Sequence, residues 1–196
     1  GATNPFGHPA PAVLARLAAV DADVFRTDHD GEVGVRTDGR VEIQDAGSQL
    51  IAPLLDPQPG ERIIDACSGA GGKTLHLAAL MGDEGRVFGM DVDAKKLAEL
   101  ERRAKRAGAR CVKSKLITET SPVDFAGVAD RLLIDAPCSG LGTLKRQPDL
   151  KWRLKPAQLD RVRGIQKELL ALYTGMLKPG GRVVYATCSI LPSENR

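Results

Sequence analysis

The sequence predicts an α/β fold, a doubly wound parallel sheet covered by helices on both faces, and two observations carry that reading. From residue 62 onward short apolar runs alternate with helical patterns. Strands that alternate with helices imply right-handed crossovers and a parallel sheet. The apolar runs are also near-continuous, LLID at 132–135 and VVYA at 183–186 being the clearest, as strands buried on both faces are.

The elements follow in order. Residues 1–11, GATNPFGHPAP, mix Gly, Pro and small residues without periodicity, as a flexible terminus does. The pattern at 12–20 suits a short helix. Runs at 24–26, 33–36 and 41–44 are separated by Asp30-Gly31 and Asp38-Gly39, dipeptides that favour tight hairpin turns. Residues 1–44 therefore read as an N-terminal extension with a small antiparallel β unit, too small for a core of its own. Ser48 is expected to cap a helix over QLIAPLL that Pro53 shortens. Strands are then expected at 62–65, 86–91, 111–113, 130–135 and 181–187, and helices at 71–81, 94–107 and 156–177. The helix at 94–107 sets Leu97, Leu100 and Ala104 on one face.

With 196 residues, 42% hydrophobic and 27% charged, the chain has ordinary globular composition. No apolar run approaches the roughly 20 residues that span a bilayer, and nothing resembles a signal peptide. The expectation is a soluble, cytoplasmic protein with no membrane partner. Its four cysteines, Cys67, Cys111, Cys138 and Cys188, form no CxxC pair. Neither a metal site nor a disulfide framework is suggested. The net charge is only +3, but between Lys145 and Lys167 eight basic residues face two acids, Asp149 and Asp160. That excess suits a polyanion, with a solvated helix face as the competing reading.

In such sheets ligands sit outside the carboxyl ends of the strands, where the strand order reverses. The first strand runs into DACSGAGGKT, in which Gly69, Gly71 and Gly72 let backbone approach a ligand and let the next helix start against the sheet. The match to a dinucleotide fingerprint is partial, because Thr74 stands where the last glycine belongs. A phosphate-cradling loop needs glycine where Cys67 stands. The second strand runs into GMDVD. Asp91 at its tip is placed to accept from ribose hydroxyls, and Asp93 to cap the following helix, so a nucleoside-bearing cofactor is expected. The competing reading has both aspartates as caps.

Cys138 and Cys188 each lie just past a predicted strand. Neighbouring strands are about 4.8 Å apart, so the two thiols are expected to open into one cleft. The competing reading is two buried small hydrophobes.

DACSGAGGKT, GMDVD, LLIDAPCSGLGTLKRQPDLKW and VVYATCSILPSEN resemble, in this order, the motifs of the S-adenosylmethionine-dependent RNA cytosine methyltransferases of the Sun/Fmu type, which are RsmB- and NSUN-like. The resemblance covers about 44–196. It implies a Rossmann-like methyltransferase domain over 45–196, S-adenosylmethionine as cofactor and an RNA substrate, rRNA before tRNA, for a chain taken as a monomer. It makes Cys188 the nucleophile and Cys138 the residue that helps release the product. The cofactor is assigned to Cys67, Ser68, Gly69, Ala70, Gly71, Gly72, Lys73, Asp91 and Asp135. Pro148, Asp149, Lys151 and Trp152 fall beside the substrate, with Trp152 expected to pack on the sheet and Lys145, Arg146 and Lys151 to meet phosphates.

The chemistry has reasons of its own. Carbon 5 of cytosine is a weak nucleophile until a thiolate adds to carbon 6 and makes it enamine-like. Asp135 is placed to hydrogen-bond the base and hold the charge that develops. After transfer the proton on carbon 5 must leave, with Cys138 or a water beside it as base. Cys138 is the alternative nucleophile, since DNA cytosine methyltransferases use a Pro-Cys thiol. An adenine amino-methyltransferase would need an aromatic ring where Cys138 stands. A non-catalytic RNA-binding factor that keeps the fold is the reading from another class.

Two departures from the family pattern stand out. Ala70 replaces a customary proline, and no acid follows the third strand, for which Glu119 is the expected substitute. The family fold continues with a further helix and two strands, so the chain reads as a fragment, and the family's separate RNA-binding domain is absent unless 1–44 is its remnant.

Overall fold

A computed structural model describes residues 44–195 together with Asp23–Val24 and Val35–Arg36. The two short segments pair antiparallel, with Asp23 opposite Arg36 and Val24 opposite Val35. The helix expected at 12–20 and both hairpin dipeptides lie outside the described residues.

The sheet has five strands: β1 (Arg62–Asp65), β2 (Arg86–Asp91), β3 (Val112–Leu116), β4 (Ala129–Asp135) and β5 (Leu177–Ala186). Their order is β3-β2-β1-β4-β5 and every pairing is parallel. The order reverses at the β1/β4 junction, which places the ligand crevice above their carboxyl ends.

Side chains alternate between two cores, one on each face. Ile63, Val87 and Leu133 join one cluster with Leu77 and Leu100. Ile64, Met90, Leu132 and Ile134 join the other with Tyr173 and Met176. This is why the strands read as unbroken apolar runs. Burying each such side chain contributes about 1.5–3 kcal/mol.

The helices that position the site are α1 (Ala46–Gln49), α2 (Ile51–Leu55), α3 (Gly72–Leu80) and α4 (Ala94–Ala107) before β3, then α5 (Ser121–Asp124), α6 (Leu150–Arg153) and α7 (Pro156–Tyr173). Asp93 caps α4, its Oδ1 accepting from the Lys95 N–H at 2.9 Å. The single helix expected over QLIAPLL is two short ones, and Ser48 lies inside the first instead of capping it. The cap is Asp45, which accepts from the Gly47 N–H. Pro53 has no N–H to give to the Gln49 carbonyl, so the helix breaks at Leu50.

Two strand boundaries also differ from expectation. β3 runs on to Leu116 instead of stopping at 113, because all five of its residues pair with β2 although Lys113 and Lys115 are exposed. The long helix ends at Tyr173, a 3₁₀ turn covers Thr174–Met176, and β5 starts at Leu177. Ala129 faces Leu177 while Arg131 faces Arg182, so residues 178–181 form an irregularity opposite Asp130. Lys178 anchors it with a 2.6 Å ion pair to Asp130.

Candidate active site

The turn from β1 into α3 is shaped by Leu100 of α4. Gly71 has φ +90°, and a Cβ there would lie 2.1 Å from Leu100 Cδ1. A Cβ on Gly89 of β2 would lie 2.5 Å from Leu100 Cδ2. Both positions demand glycine because one fully buried leucine fills the space beside them. Arg103 donates to the Ala70 carbonyl at 2.7 Å and holds the turn to α4.

Asp91 closes the turn from the other side. Its Oδ2 accepts from the Gly69 N–H at 3.0 Å and its Oδ1 from the Asp93 N–H at 2.9 Å. Beneath lies Asp65, only 1% exposed, with Oδ2 accepting from the Thr74 hydroxyl at 2.7 Å. Burial, with the Asp135 carboxylate nearby, pushes Asp65 up to about 7 against the opposing Thr74 bond. Asp65 Oδ1 and Ser68 Oγ are buried without a partner among the described residues. Unpaired polar atoms, a close-approach glycine turn and a carboxylate at the second strand tip fit a nucleoside-bearing cofactor.

Across the crevice Lys73 Nζ meets Asp135 Oδ2 at 2.6 Å, joining the start of α3 to the tip of β4. The two cysteine loops continue from β4 and β5. The Ala136 N–H donates to the Ala186 carbonyl at 2.9 Å, so the strand tips are in register. Beyond them the Sγ atoms of Cys138 and Cys188 lie 3.0 Å apart. The Cys188 N–H also donates to Cys138 Sγ at 3.3 Å. Cys188 is exposed and Cys138 half-buried.

The four thiols differ in ionisation. Burial, reinforced by neighbouring carboxylates, pushes Cys67 and Cys111 up to about 12. Cys138 falls to about 7 because the Cys188 thiol and the backbone N–H groups of Gly140 and Cys188 donate to it. Cys188, the donor to that thiolate, is pushed up by the same hydrogen bond and by burial. When the pair loses a proton the negative charge rests on Cys138, and Cys188 keeps the hydrogen that lies between them.

Two residues that hold this arrangement escaped sequence reasoning. A Cβ on Gly142 would lie 2.7 Å from the Cys188 carbonyl oxygen, to which the Gly142 N–H donates at 2.9 Å. Glu194, 3% exposed, accepts from Ser139 and Ser189, the residues that follow the two cysteines. Of the basic candidates, Lys145 and Lys151 are exposed and Arg146 pairs with Asp45 at 2.8 Å. Trp152 does not pack on the sheet as expected. It is 81% exposed, with Lys151 Nζ 5.0 Å from its ring centroid. Glu119 sits exposed in the turn after β3.

The model of the family described as 16S rRNA methyltransferase RsmB/F matches residues 52–196. The chain belongs to the RsmB/F methyltransferase family. Among curated RsmB relatives, it is 41% identical over 155 residues to the probable ribosomal RNA small subunit methyltransferase B of Synechocystis sp., covering 78% of this chain and 35% of that one. It is 40% identical over 161 residues to ribosomal RNA small subunit methyltransferase B of Salmonella dublin, covering 81% and 37%. The chain thus spans about a third of the length of these relatives.

Among solved structures, NSun6 from Pyrococcus horikoshii with SFG superposes with TM-score 0.73 at 29% identity, over 80% of this chain and 40% of that one. A methyltransferase homolog protein from the same organism gives 0.72 at 30% identity, over 93% and 62%. The RsmB/F assignment and the sheet order agree on one fold, the Rossmann-like methyltransferase fold expected from the sequence. Among the described residues no helix is long and apolar enough to cross a membrane.

Proposed function

We propose that this chain carries the catalytic core of an RNA methyltransferase that makes 5-methylcytosine in small-subunit rRNA through a covalent cysteine–cytosine intermediate. The observation that carries the reading is the pair of thiols 3.0 Å apart at adjoining strand tips, beside the Lys73–Asp135 ion pair. Asp91 would accept from the ribose hydroxyls of the cofactor, and the turn from Cys67 to Lys73 would hold it. When bound, S-adenosylmethionine supplies a methyl group on a sulfonium, which departs as a neutral thioether.

Cys188 is the nucleophile. It is the exposed thiol of the pair, and as its sulfur bonds to carbon 6 its proton passes to the Cys138 thiolate. Asp135 accepts from the exocyclic amine of the base. A carboxylate cannot donate, so the Lys73 ammonium is the group that meets the charge developing on the ring nitrogen. Carbon 5, now enamine-like, takes the methyl group.

Cys138 passes the captured proton on to water and is again a base when the carbon 5 proton must leave. That proton goes to Cys138 or to a water beside it. The electrons of the carbon–hydrogen bond re-form the ring double bond, and the bond to Cys188 breaks with the sulfur keeping its pair. Lys145, Arg146 and Lys151 contact phosphates, and the exposed Trp152 ring stacks on a base.

The test is methyl transfer by the whole protein that contains this chain. With labelled cofactor and small-subunit rRNA, label should appear on carbon 5 of cytosine and vanish in Cys188→Ala. Full activity of Cys188→Ala, or label on another atom, overturns the reading.

A further inference from the structure

Glu194 is a carboxylate buried at a point where an apolar side chain would avoid the cost of desolvation. Each of its oxygens receives two donors. Oε1 accepts from the Ser139 N–H at 2.8 Å and from the Gln166 amide at 3.1 Å. Oε2 accepts from the Ser139 hydroxyl at 2.6 Å and from the Ser189 hydroxyl. Burial opposes ionisation, but the donors outweigh it and hold the carboxyl below its ordinary value.

The donors come from three elements. Ser139 follows Cys138, Ser189 follows Cys188, and Gln166 lies on α7. The same Gln166 amide also donates to the carbonyl of Pro137 at 2.9 Å, so Cys138 is gripped on both sides. The turn that presents Glu194 is itself fastened. Tyr185 of β5 donates to the Glu194 carbonyl at 3.1 Å, and the Asn195 amide donates to the carbonyls of Ser189 and Leu191. An apolar side chain at 194 would leave those backbone bonds in place but would join none of Ser139, Ser189 and Gln166.

We propose that Glu194 is a positioning residue: its carboxylate clamps the loops after β4 and β5 and thereby sets the distance between Cys138 and Cys188. The bearing of this clamp on turnover rests on the two-thiol mechanism above, whereas the spacing itself does not.

The experiment uses phenylarsine oxide, whose arsenic bonds to two adjacent thiols with loss of water, on the 196-residue chain. Mass spectrometry should find one arsenic bridging Cys138 and Cys188 and resisting a monothiol competitor. Glu194→Ala frees the loops, and apparent affinity falls about a hundredfold, the loss expected when two-point attachment becomes one-point. Glu194→Gln restores it, because the amide oxygen still accepts from Ser139 N–H and Gln166 while its NH₂ donates to the two hydroxyls. Ser139→Ala combined with Ser189→Ala removes two donors without touching Glu194 and should also weaken bridging, which covers a Glu194→Ala chain that fails to fold.

Calorimetry with S-adenosylmethionine should give the same affinity in the Glu194 variants, since the glycine turn is untouched. Bridging as tight as the parent in the alanine variants overturns the proposal, as does equal loss in Glu194→Gln. A Cys188→Ala enzyme that still methylates RNA would instead sink the two-thiol mechanism and leave the clamp standing, so the two failures read differently.

Discussion

Lys73 and Asp135, 62 residues apart in the chain, form a 2.6 Å ion pair between the start of α3 and the tip of β4. The pair ties the glycine turn to the strand that leads to Cys138. In the proposed mechanism charge develops on the bound base only during addition, so its partners act on the transition state. Lys73→Met should lower single-turnover methyl transfer about 10²–10³-fold, the usual cost of losing one preorganised donor, while the thermal midpoint changes little. A loss seen only at subsaturating RNA would place Lys73 in binding instead.

The thiol pair predicts an asymmetric alkylation profile. With iodoacetamide, Cys138 should react with an inflection near pH 7, and Cys67 and Cys111 only in strong alkali, near 12. In Cys188→Ala the main donor to the Cys138 thiolate is gone. Its inflection should therefore move up toward the ordinary thiol value, by less than the full shift because the backbone N–H donors remain. Peptide mapping of alkylated protein across pH checks both statements.

Gly71→Ala is expected to destabilise the chain by about 1–3 kcal/mol from overpacking against Leu100, beyond the strain of its positive φ. Gly89→Ala meets the same leucine without the φ strain and should cost less. Urea denaturation compares them, and calorimetry should show weaker cofactor binding in Gly71→Ala.

Stability should depend on Asp65. Its value in the fold, about 7, lies above the ordinary 3.8. Below about 3.8 it is protonated whether the chain is folded or not, and its contribution is fully present. As pH rises from there toward 7 the unfolded chain ionises more readily than the folded one, so stability falls, and above 7 the loss is complete. Asp65→Asn removes that titration. The difference in unfolding free energy between pH 5 and pH 8 should shrink in the variant.

Much of this was legible from residues alone. LLID and VVYA declared themselves as strands because they are unbroken apolar runs, LLI being fully buried while Val183 at the outer strand is exposed, and each run could be followed to a cysteine two or three residues past its tip. Their adjacency followed from β4 and β5 being neighbours. Less legible was β3, whose Lys113 and Lys115 face outward at the sheet edge and give no apolar run. The start of β5 was hidden because Pro179-Gly180-Gly181 reads as a loop, whereas the strand absorbs it as an irregularity beside Asp130. A single tryptophan suggests packing on the sheet, but the exposure of Trp152 is set by tertiary placement that composition does not report. Glu194 gave no local signal. It sits in a short polar stretch, and its partners at 139, 166 and 189 converge only in the folded chain.

The most direct test of the central claim is capture of the enzyme–RNA bond. In Cys138→Ala, made in the whole protein, the hydrogen bond that raises Cys188 is gone, so Cys188 gives its proton to water, and addition and methyl transfer should proceed more slowly while release stalls. Incubation with cofactor and small-subunit rRNA should then leave an adduct stable to denaturing electrophoresis, whose RNA-linked peptide contains Cys188. An adduct mapped to another residue, or none in Cys138→Ala under conditions where the parent methylates, contradicts the account.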